Sequence, residues 1–252
     1  MRFLIFQLQA PLASWGDTAV GEYRPSRDYP GLSALVGLLG AALGIRREDE
    51  TAHSALRDHY AYTVGIQSSG ALLRDYHTAQ VPSQAALKKR PHASRRDELA
   101  IPGHDLNTVL STRDYRQGAE CVVAVEASET ASYSLEQLAD ALRRPRFALY
   151  LGRKSCPPGA PLYPQMIDAA DAESAFETYL ERVRAELAHQ SPAPDRPLFE
   201  PPSTITRLAW SVNATVGRSP DLTTTRKDHP LRRKGWMFGD RTEYVALISQ
   251  EG

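Results

Sequence analysis

Arg2-Phe3-Leu4-Ile5-Phe6-Gln7-Leu8-Gln9, close to the start of the chain, is the stretch on which the fold turns. Its apolar side chains fall on both parities of a two-residue period, so a strand here buries both faces and belongs in the middle of a sheet. Pro11, which has no N–H to give a ladder, is expected to end it. A loop rich in Gly, Pro and charge follows, through Trp15-Gly16, Arg24-Pro25, Arg27 and Pro30. Leu32 to Ile45 then switches to helical spacing, with Leu32, Leu35, Val36, Leu39, Ala42 and Leu43 on one stripe. Gly37, Ala41 and Gly44 line another face. Glycine inside a helix costs about 1 kcal/mol against alanine, so close packing against a neighbouring element is the reading adopted. A phosphate cradle needs its glycines before the helix, and these lie within it.

Further out, a second helix is expected from Glu48 to His59 and strands over Tyr60 to Gln67 and Ala71 to Gln80. The pattern fails from Pro82 to His104, where Lys88, Lys89, Arg90, Arg95 and Arg96 sit among prolines; a long polar excursion inside a compact domain is usually functional or disordered. Thr108 to Tyr115 and Glu120 to Ala127 read as two strands joined by a Gln117-Gly118 turn. Ser134 and Gln137 make a capping box for a helix ending at Pro145. Phe147 to Leu151 reads as a short strand, and Ala172 to His189 as an amphipathic helix carrying Phe176, Tyr179, Leu180, Val183 and Leu187 on one face. The proline-rich stretch 190 to 203 reads as a linker, with short strands after it at Arg207 to Val212 and Thr242 to Ser249. Strand, helix, strand, strand, helix, strand is the order of a ferredoxin-like βαββαβ domain, the α+β topology that RRM domains share.

Composition narrows the function classes. The chain has 252 residues, 42% hydrophobic and 24% charged, an ordinary globular balance. The 30 Lys plus Arg offset 30 Asp plus Glu, whereas a freestanding nucleic-acid binder is usually basic. The charge is unevenly spread, however. Lys88 to Arg96, Arg143 to Lys154 and Arg226 to Lys234 are basic, and acid concentrates in Asp168 to Glu186. A phosphate backbone responds to the local field, and Tyr76, Tyr115, Tyr150 and Trp236 lie near the basic runs, where base stacking uses aromatics. From charge alone, a solvated surface and an RNA groove fit these runs equally. Cys121 and Cys156 have no paired spacing for a disulfide framework or a zinc cluster. The longest apolar run, Leu32 to Ile45, is shorter than the ~20 residues of a membrane span. A cytoplasmic chain with no membrane role is expected.

Enzyme motifs are absent: there is no Walker sequence, GxGxxG, GxSxG or HExxH, and the seven histidines are scattered. No metal or cofactor is expected. One constellation has chemistry to weigh. Metal-free RNA cleavage needs a base for the 2′-hydroxyl and an acid for the leaving oxygen, which Tyr76, His77, Lys88 and Lys89 supply if the excursion folds back over the sheet. The reading preferred here makes Tyr76 a sheet aromatic and His77 a hydrogen-bonded strand residue.

Several strings carry a resemblance. Trp15-Gly16, Arg24-Pro25 and Tyr29-Pro30 before the glycine-laced helix are similar to the start of the CasD family of type I-E CRISPR Cascade subunits. So are Asp75-Tyr76-His77-Thr78-Ala79-Gln80 and Thr112-Arg113-Asp114-Tyr115, and, most specifically, Pro145-Arg146-Phe147 with Tyr150-Leu151-Gly152-Arg153-Lys154-Ser155-Cys156-Pro157. Asp228-His229-Pro230, Arg241 and Tyr244 continue the likeness, in order, along the chain. Residues 171 to 202 match least.

The resemblance implies a subunit of the RAMP group shaped like a right hand. Its ferredoxin-like palm would span residues 1–160, with an inserted thumb hairpin at about 79–110 and a helical and β-rich region over 161–252. It implies binding of the 5′ handle of CRISPR RNA, contacts to the CasC backbone subunit and the large CasA subunit, and no active site, since another type I-E subunit cuts the guide. A type I-C relative does cut, using Tyr, Lys and His, so Tyr76 and His77 call for a test. The RNA-contact residues expected are Arg24, Arg27, Arg113, Arg153 and Lys154, with Tyr115 for stacking, Tyr76 and His77 on the palm, and Lys88, Lys89 and Arg90 tracking the RNA along the thumb.

Overall fold

The computed structural model describes residues 1–88, 90–190 and 203–248. The first half contains β1 (Arg2–Ala13), β2 (Trp15–Gly16), β3 (Tyr23–Arg24), β4 (Ser26–Arg27), α1 (Leu32–Leu43), α2 (Glu50–Asp58), β5 (Tyr60–Ser68), β6 (Ala71–Pro82), α3 (Gln84–Leu87) and α4 (Arg95–Leu99). The second half contains β7 (Leu106–Ala127), α5 (Leu135–Arg143), β8 (Gln165–Asp168), α6 (Ala172–Gln190), β9 (Arg207–Ser211), β10 (Leu222–Arg232) and β11 (Met237–Leu247).

Among the described residues, nine strands share one sheet. Its path runs β10-β11-β9-β5-β7-β1-β8, with β6 and β3 added along β7. Neighbours on that path are antiparallel, and only the short β3 pairs in parallel. The alternation within β1 explains its continuous apolar run. Leu4, Phe6 and Leu8 face a core shared with α1, α2 and α5, which includes Leu35, Leu39, Leu56 and Leu138. Phe3 and Ile5 face a second core under α6, with Phe176, Tyr179 and Val183. Each fully buried side chain of this size contributes about 1.5–3 kcal/mol.

Most elements follow the sequence reading, and the departures have physical causes. β1 continues past Pro11 to Ala13, because its far edge there carries no ladder strand and the missing N–H is not needed. Phe147 to Leu151 is not a strand. The fourth strand of the group β5-β7-β1 is β8, which pairs with β1, and the segment before it crosses β1 through isolated bonds, Gly159 N–H to the Gln9 carbonyl and Gln7 N–H to the Leu162 carbonyl, 2.9 Å each. Pro157, Pro158, Pro161 and Pro164 cannot donate to a ladder, so this stretch cannot form one. Gln117-Gly118 is not a turn either. Gly118 takes a left-handed φ of 69°, but the chain continues straight through it as a single 22-residue strand. β7 pairs with β1 and β5 along its second half and with β6 along its first.

β6 and the first half of β7 therefore make a long hairpin from Ala71↔Gln117 to Pro82↔Leu106, topped by α3, α4 and a 3-10 turn at Gly103–Asp105. The arm starts at Ala71 rather than Ala79. The tail also differs from expectation: β10 was not foreseen, and β11 starts at Met237. Both join the main sheet through β9, so the sheet continues well beyond residue 160. Much of the expected 190–203 linker lies outside the described residues. No described helix is long and apolar enough to cross a membrane.

Candidate nucleic-acid interface

The base of the arm is built around one buried carboxylate. In the β6–β7 register Arg74 stands opposite Asp114, and its guanidinium donates from Nε to Asp114 Oδ1 at 2.8 Å and from Nη2 to Oδ2 at 3.1 Å. Tyr23 donates its hydroxyl to Asp114 Oδ2 at 2.5 Å. Asp114 is 2% exposed. The bond from Arg74 holds its carboxyl below the usual range despite that burial, and the hydrogen bond to Asp114 pushes the Tyr23 hydroxyl up.

Around this clasp the structure brings together four of the expected contact residues. Arg24 and Arg113 are Cα partners in the short parallel pair. Arg153 donates to the Asp114 carbonyl at 3.2 Å and to the Arg24 carbonyl at 3.0 Å, and its guanidinium lies 4.7 Å from the centre of the Tyr115 ring. The loop bearing Arg153 is held by a backbone contact: Ser14 N–H donates to the Leu151 carbonyl at 3.0 Å. Gly152 packs so close that an added Cβ would stand 1.8 Å from the Ser14 carbonyl oxygen. This is the reason a glycine precedes Arg153. Lys154 is exposed beside it. Arg27 reaches the same region, but its guanidinium is engaged by Asp17 at 2.8 and 3.1 Å.

The remaining candidates lie elsewhere. Tyr76 and His77 are halfway along the arm, and as consecutive strand residues they occupy opposite faces. Tyr76 shares a face with Arg74 and Asp114 and is 65% exposed; His77 shares the other with Arg113 and Tyr115, and its Nδ1 stands 3.9 Å from Asp75 Oδ2. Lys88 and Arg90 are at the tip of the arm, where Arg90 bonds the Ala100 carbonyl. Lys89 lies outside the described residues.

The basic run 226 to 234 divides. Arg226 is 2% exposed and donates to Glu243 Oε2 at 3.0 Å, with its guanidinium over the Tyr29 ring at 4.7 Å. Arg241 bridges Asp228 and Glu243, both at 2.6 Å, and Asp228 Oδ2 caps α1 by accepting from Leu32 N–H at 2.9 Å. Burial, then the adjacent Glu243, pushes Tyr29 up to about 12. Arg226 is therefore structural. Sequence reasoning missed Arg74 and Tyr23. Asp114 stood within a quoted string without a role, and only the strand register shows that Arg74 faces it.

Replacing Asp114 by Asn should lower stability at neutral pH in a pH-dependent way. A folded-state pKa below the unfolded value of about 3.9 stabilises above that value and is lost as pH falls through the depressed one. The difference in urea midpoint between wild type and Asp114→Asn should be full at pH 7 and shrink toward pH 3. It should be modest, because Arg74 is half exposed. A gap that stays constant over this range would show that the ion pair contributes nothing.

Comparison with known proteins agrees with this architecture. A family model described as CRISPR-associated protein (Cas_Cas5) matches residues 3–243. The CRISPR system Cascade subunit CasD of Escherichia coli (strain K12) is 31% identical over 185 residues, covering 70% of this chain and 76% of that protein. In structure the chain is similar to a component of a CRISPR RNA-guided surveillance complex, with TM-score 0.62 and 26% identity, over 98% of this chain and 90% of that one. A crystal structure of a Cas protein shares the fold at TM-score 0.59 and 24% identity, over 99% and 96% of the two chains. With the family model matching nearly end to end, the chain belongs to the Cas5 family of CRISPR-associated proteins.

Proposed function

We propose that this chain is a non-catalytic subunit of a Cascade-type antiviral surveillance complex that grips the 5′ handle of CRISPR RNA, next to a CasC-type backbone subunit and a CasA-type large subunit. The observation that carries this reading is the cluster at the base of the arm, where Arg153 lies over the Tyr115 ring and bonds the carbonyl of Arg24, which pairs with Arg113. Cations beside an aromatic ring suit a single strand whose bases splay and stack. The strand order β5-β7-β1-β8, with helices linking β1 to β5 and β7 to β8, supports a ferredoxin-like palm. Tyr76 and His77 on opposite faces of one strand argue against a joint acid–base role in RNA cleavage.

The expected division of labour is measurable. In the assembled complex, Lys88→Ala, Lys89→Ala and Arg90→Ala together should reduce the log–log salt slope of RNA binding by roughly 0.7 per lost phosphate contact. The loss should be equal for handle and scrambled RNA, because phosphates carry no sequence information. Arg113→Ala and Tyr115→Ala should each cost about 1–3 kcal/mol and narrow the difference between the two RNAs. Lost discrimination in the tip variant, with only lost affinity at the base, would reverse the assignment. Repeat RNA incubated without divalent metal should be bound and left intact. Cleavage that disappears in His77→Ala would make the chain an endoribonuclease.

A further inference from the structure

The groove that starts at Arg24 and Arg153 does not stop at the arm. It has a volume of about 750 Å³ and passes over α1 at Gly37 and Ala41 to the turn between β10 and β11, where Arg233 and Trp236 line its far end. Its two carboxylates are already engaged, Asp17 with Arg27 and Asp228 with Arg226, Arg241 and the α1 N-terminus. Glu50, beneath the turn, accepts the backbone N–H groups of Arg233 and Lys234 at 2.9 and 2.8 Å.

Arg233 is the anomaly. Its Nε and Nη2 are buried without a hydrogen-bond partner among the described residues. Burial holds the group below its ordinary pKa against the pull of the Glu50 charge, and the neighbouring Arg47 adds to the lowering. Its guanidinium lies against α1 at Gly37, where a Cβ would meet Nη2 at an ordinary contact distance of 3.5 Å. Unsatisfied buried donors on a charged group disfavour folding, so an anion that completes them gains more than one arriving at a solvated arginine. Beside it, Trp236 is 53% exposed with a left-handed φ of 54°, a costly conformation for an aromatic residue. Its ring packs with Phe238 at 6.4 Å and lies under Arg47 at 4.3 Å. The turn thus holds two exposed rings next to an unfilled guanidinium.

We propose that this end of the groove is a second RNA-contact site, in which Arg233 takes one internucleotide phosphate and the adjoining base packs on the Trp236–Phe238 pair. The site rests on the RNA-binding reading above. A carboxylate of a protein partner also matches the guanidinium fork. The exposed ring pair and the continuous groove back to Arg153 favour a nucleotide.

The test uses the assembled complex and a single-stranded CRISPR repeat RNA. Arg233→Met should weaken RNA binding roughly 10-fold or more and lower the salt slope by about 0.7, without lowering the Tm of the protein, since the donors it removes are unsatisfied. Trp236→Ala should weaken binding with the salt slope unchanged, because stacking carries no charge. A methylphosphonate at one linkage should weaken binding to wild type and add no further loss in Arg233→Met. A lower Tm with unchanged RNA affinity overturns the proposal in favour of a structural arginine. Loss of a protein subunit at unchanged RNA affinity overturns it in favour of an acidic protein partner. A wild-type complex that holds no RNA removes the broader function along with this site.

Discussion

Gly152→Ala is expected to cost about 2–5 kcal/mol of stability, out of proportion to a single methyl group. The new Cβ would stand 1.8 Å from the Ser14 carbonyl oxygen and 2.7 Å from its carbon, and both are backbone atoms that no rotamer change can move aside. The φ of 90° adds the left-handed penalty of about 1–2 kcal/mol, and forcing matter into a packed contact costs about 1–3 kcal/mol more. Gly118→Ala is the internal control. Its φ of 69° is similarly left-handed, but a Cβ there meets nothing within 4 Å, so only the conformational part of the loss should appear. Urea denaturation of both variants separates the two terms, and equal losses would mean that the contact with Ser14 is not tight. Functionally, displacing the 150–153 loop moves Arg153 off Tyr115, so RNA affinity should fall in Gly152→Ala and hold in Gly118→Ala.

Glu243→Ala should be as damaging, for an electrostatic reason. Glu243 is 3% exposed and accepts from Arg226, Arg241 and the Tyr29 hydroxyl, the last at 2.7 Å. Its removal leaves a buried guanidinium with one carboxylate fewer, and breaking such a pair from one side costs about 3–5 kcal/mol. Replacing both sides, Arg226→Met with Glu243→Leu, should restore much of the loss, because desolvation of the pair offsets most of its attraction. Calorimetry or urea unfolding of the single and double variants reads this directly. A double variant no better than the single would mean that the network's geometry, and not its charge balance, holds β10 and β11 against α1.

The parts of the fold that could be read in the sequence are those fixed by local chemistry. The capping box of α5 is formed as expected, with Ser134 Oγ accepting from Gln137 N–H at 3.2 Å and Gln137 Oε1 from Ser134 N–H at 2.8 Å. The apolar stripe of α1 and the two-sided burial of β1 likewise depend on residues close in sequence. What escaped is decided at long range. Gly118 looks the same in a turn and in a continuous strand, and the ladders that β1 and β6 supply on either side select the strand. The N–H groups of Arg146 and Phe147 go to the α1 carbonyls of Ala42 and Ala41 instead of a ladder, and the fourth core strand forms after the prolines, at 165–168. In the candidate site, Arg24, Arg113, Tyr115 and Arg153, expected from the resemblance, lie together at the base of the arm. The Arg74–Asp114–Tyr23 clasp beneath them depends on cross-strand register, which spacing along one strand does not encode. Arg226 belongs to a run that charge alone fits to a solvated surface or an RNA groove, and it is buried against Asp228, two residues on, and Glu243, on the next strand.

The continuity of β7 makes the arm a lever. From Gly118 to Leu106 the strand extends 12 residues, about 40 Å at 3.3 Å per residue. Along its length the lateral support changes hands, β5 leaving β7 at Glu120 and β1 at Arg116, β6 joining at Gln117 and β3 at Arg113 and Thr112, and left-handed glycines stand near the foot, Gly118 within β7 and Gly70 just before β6. Beyond Thr112 β7 pairs with β6 alone, so the outer arm is a two-stranded ribbon without a further strand beside it. A rotation of about 10° at the Thr112 level would carry Leu106, about 20 Å further on, sideways by about 3.5 Å. On the RNA-binding reading proposed above, Lys88 and Arg90 at the tip would swing relative to a bound strand while Arg113, at the level of the β3 pair, and Arg153 move little.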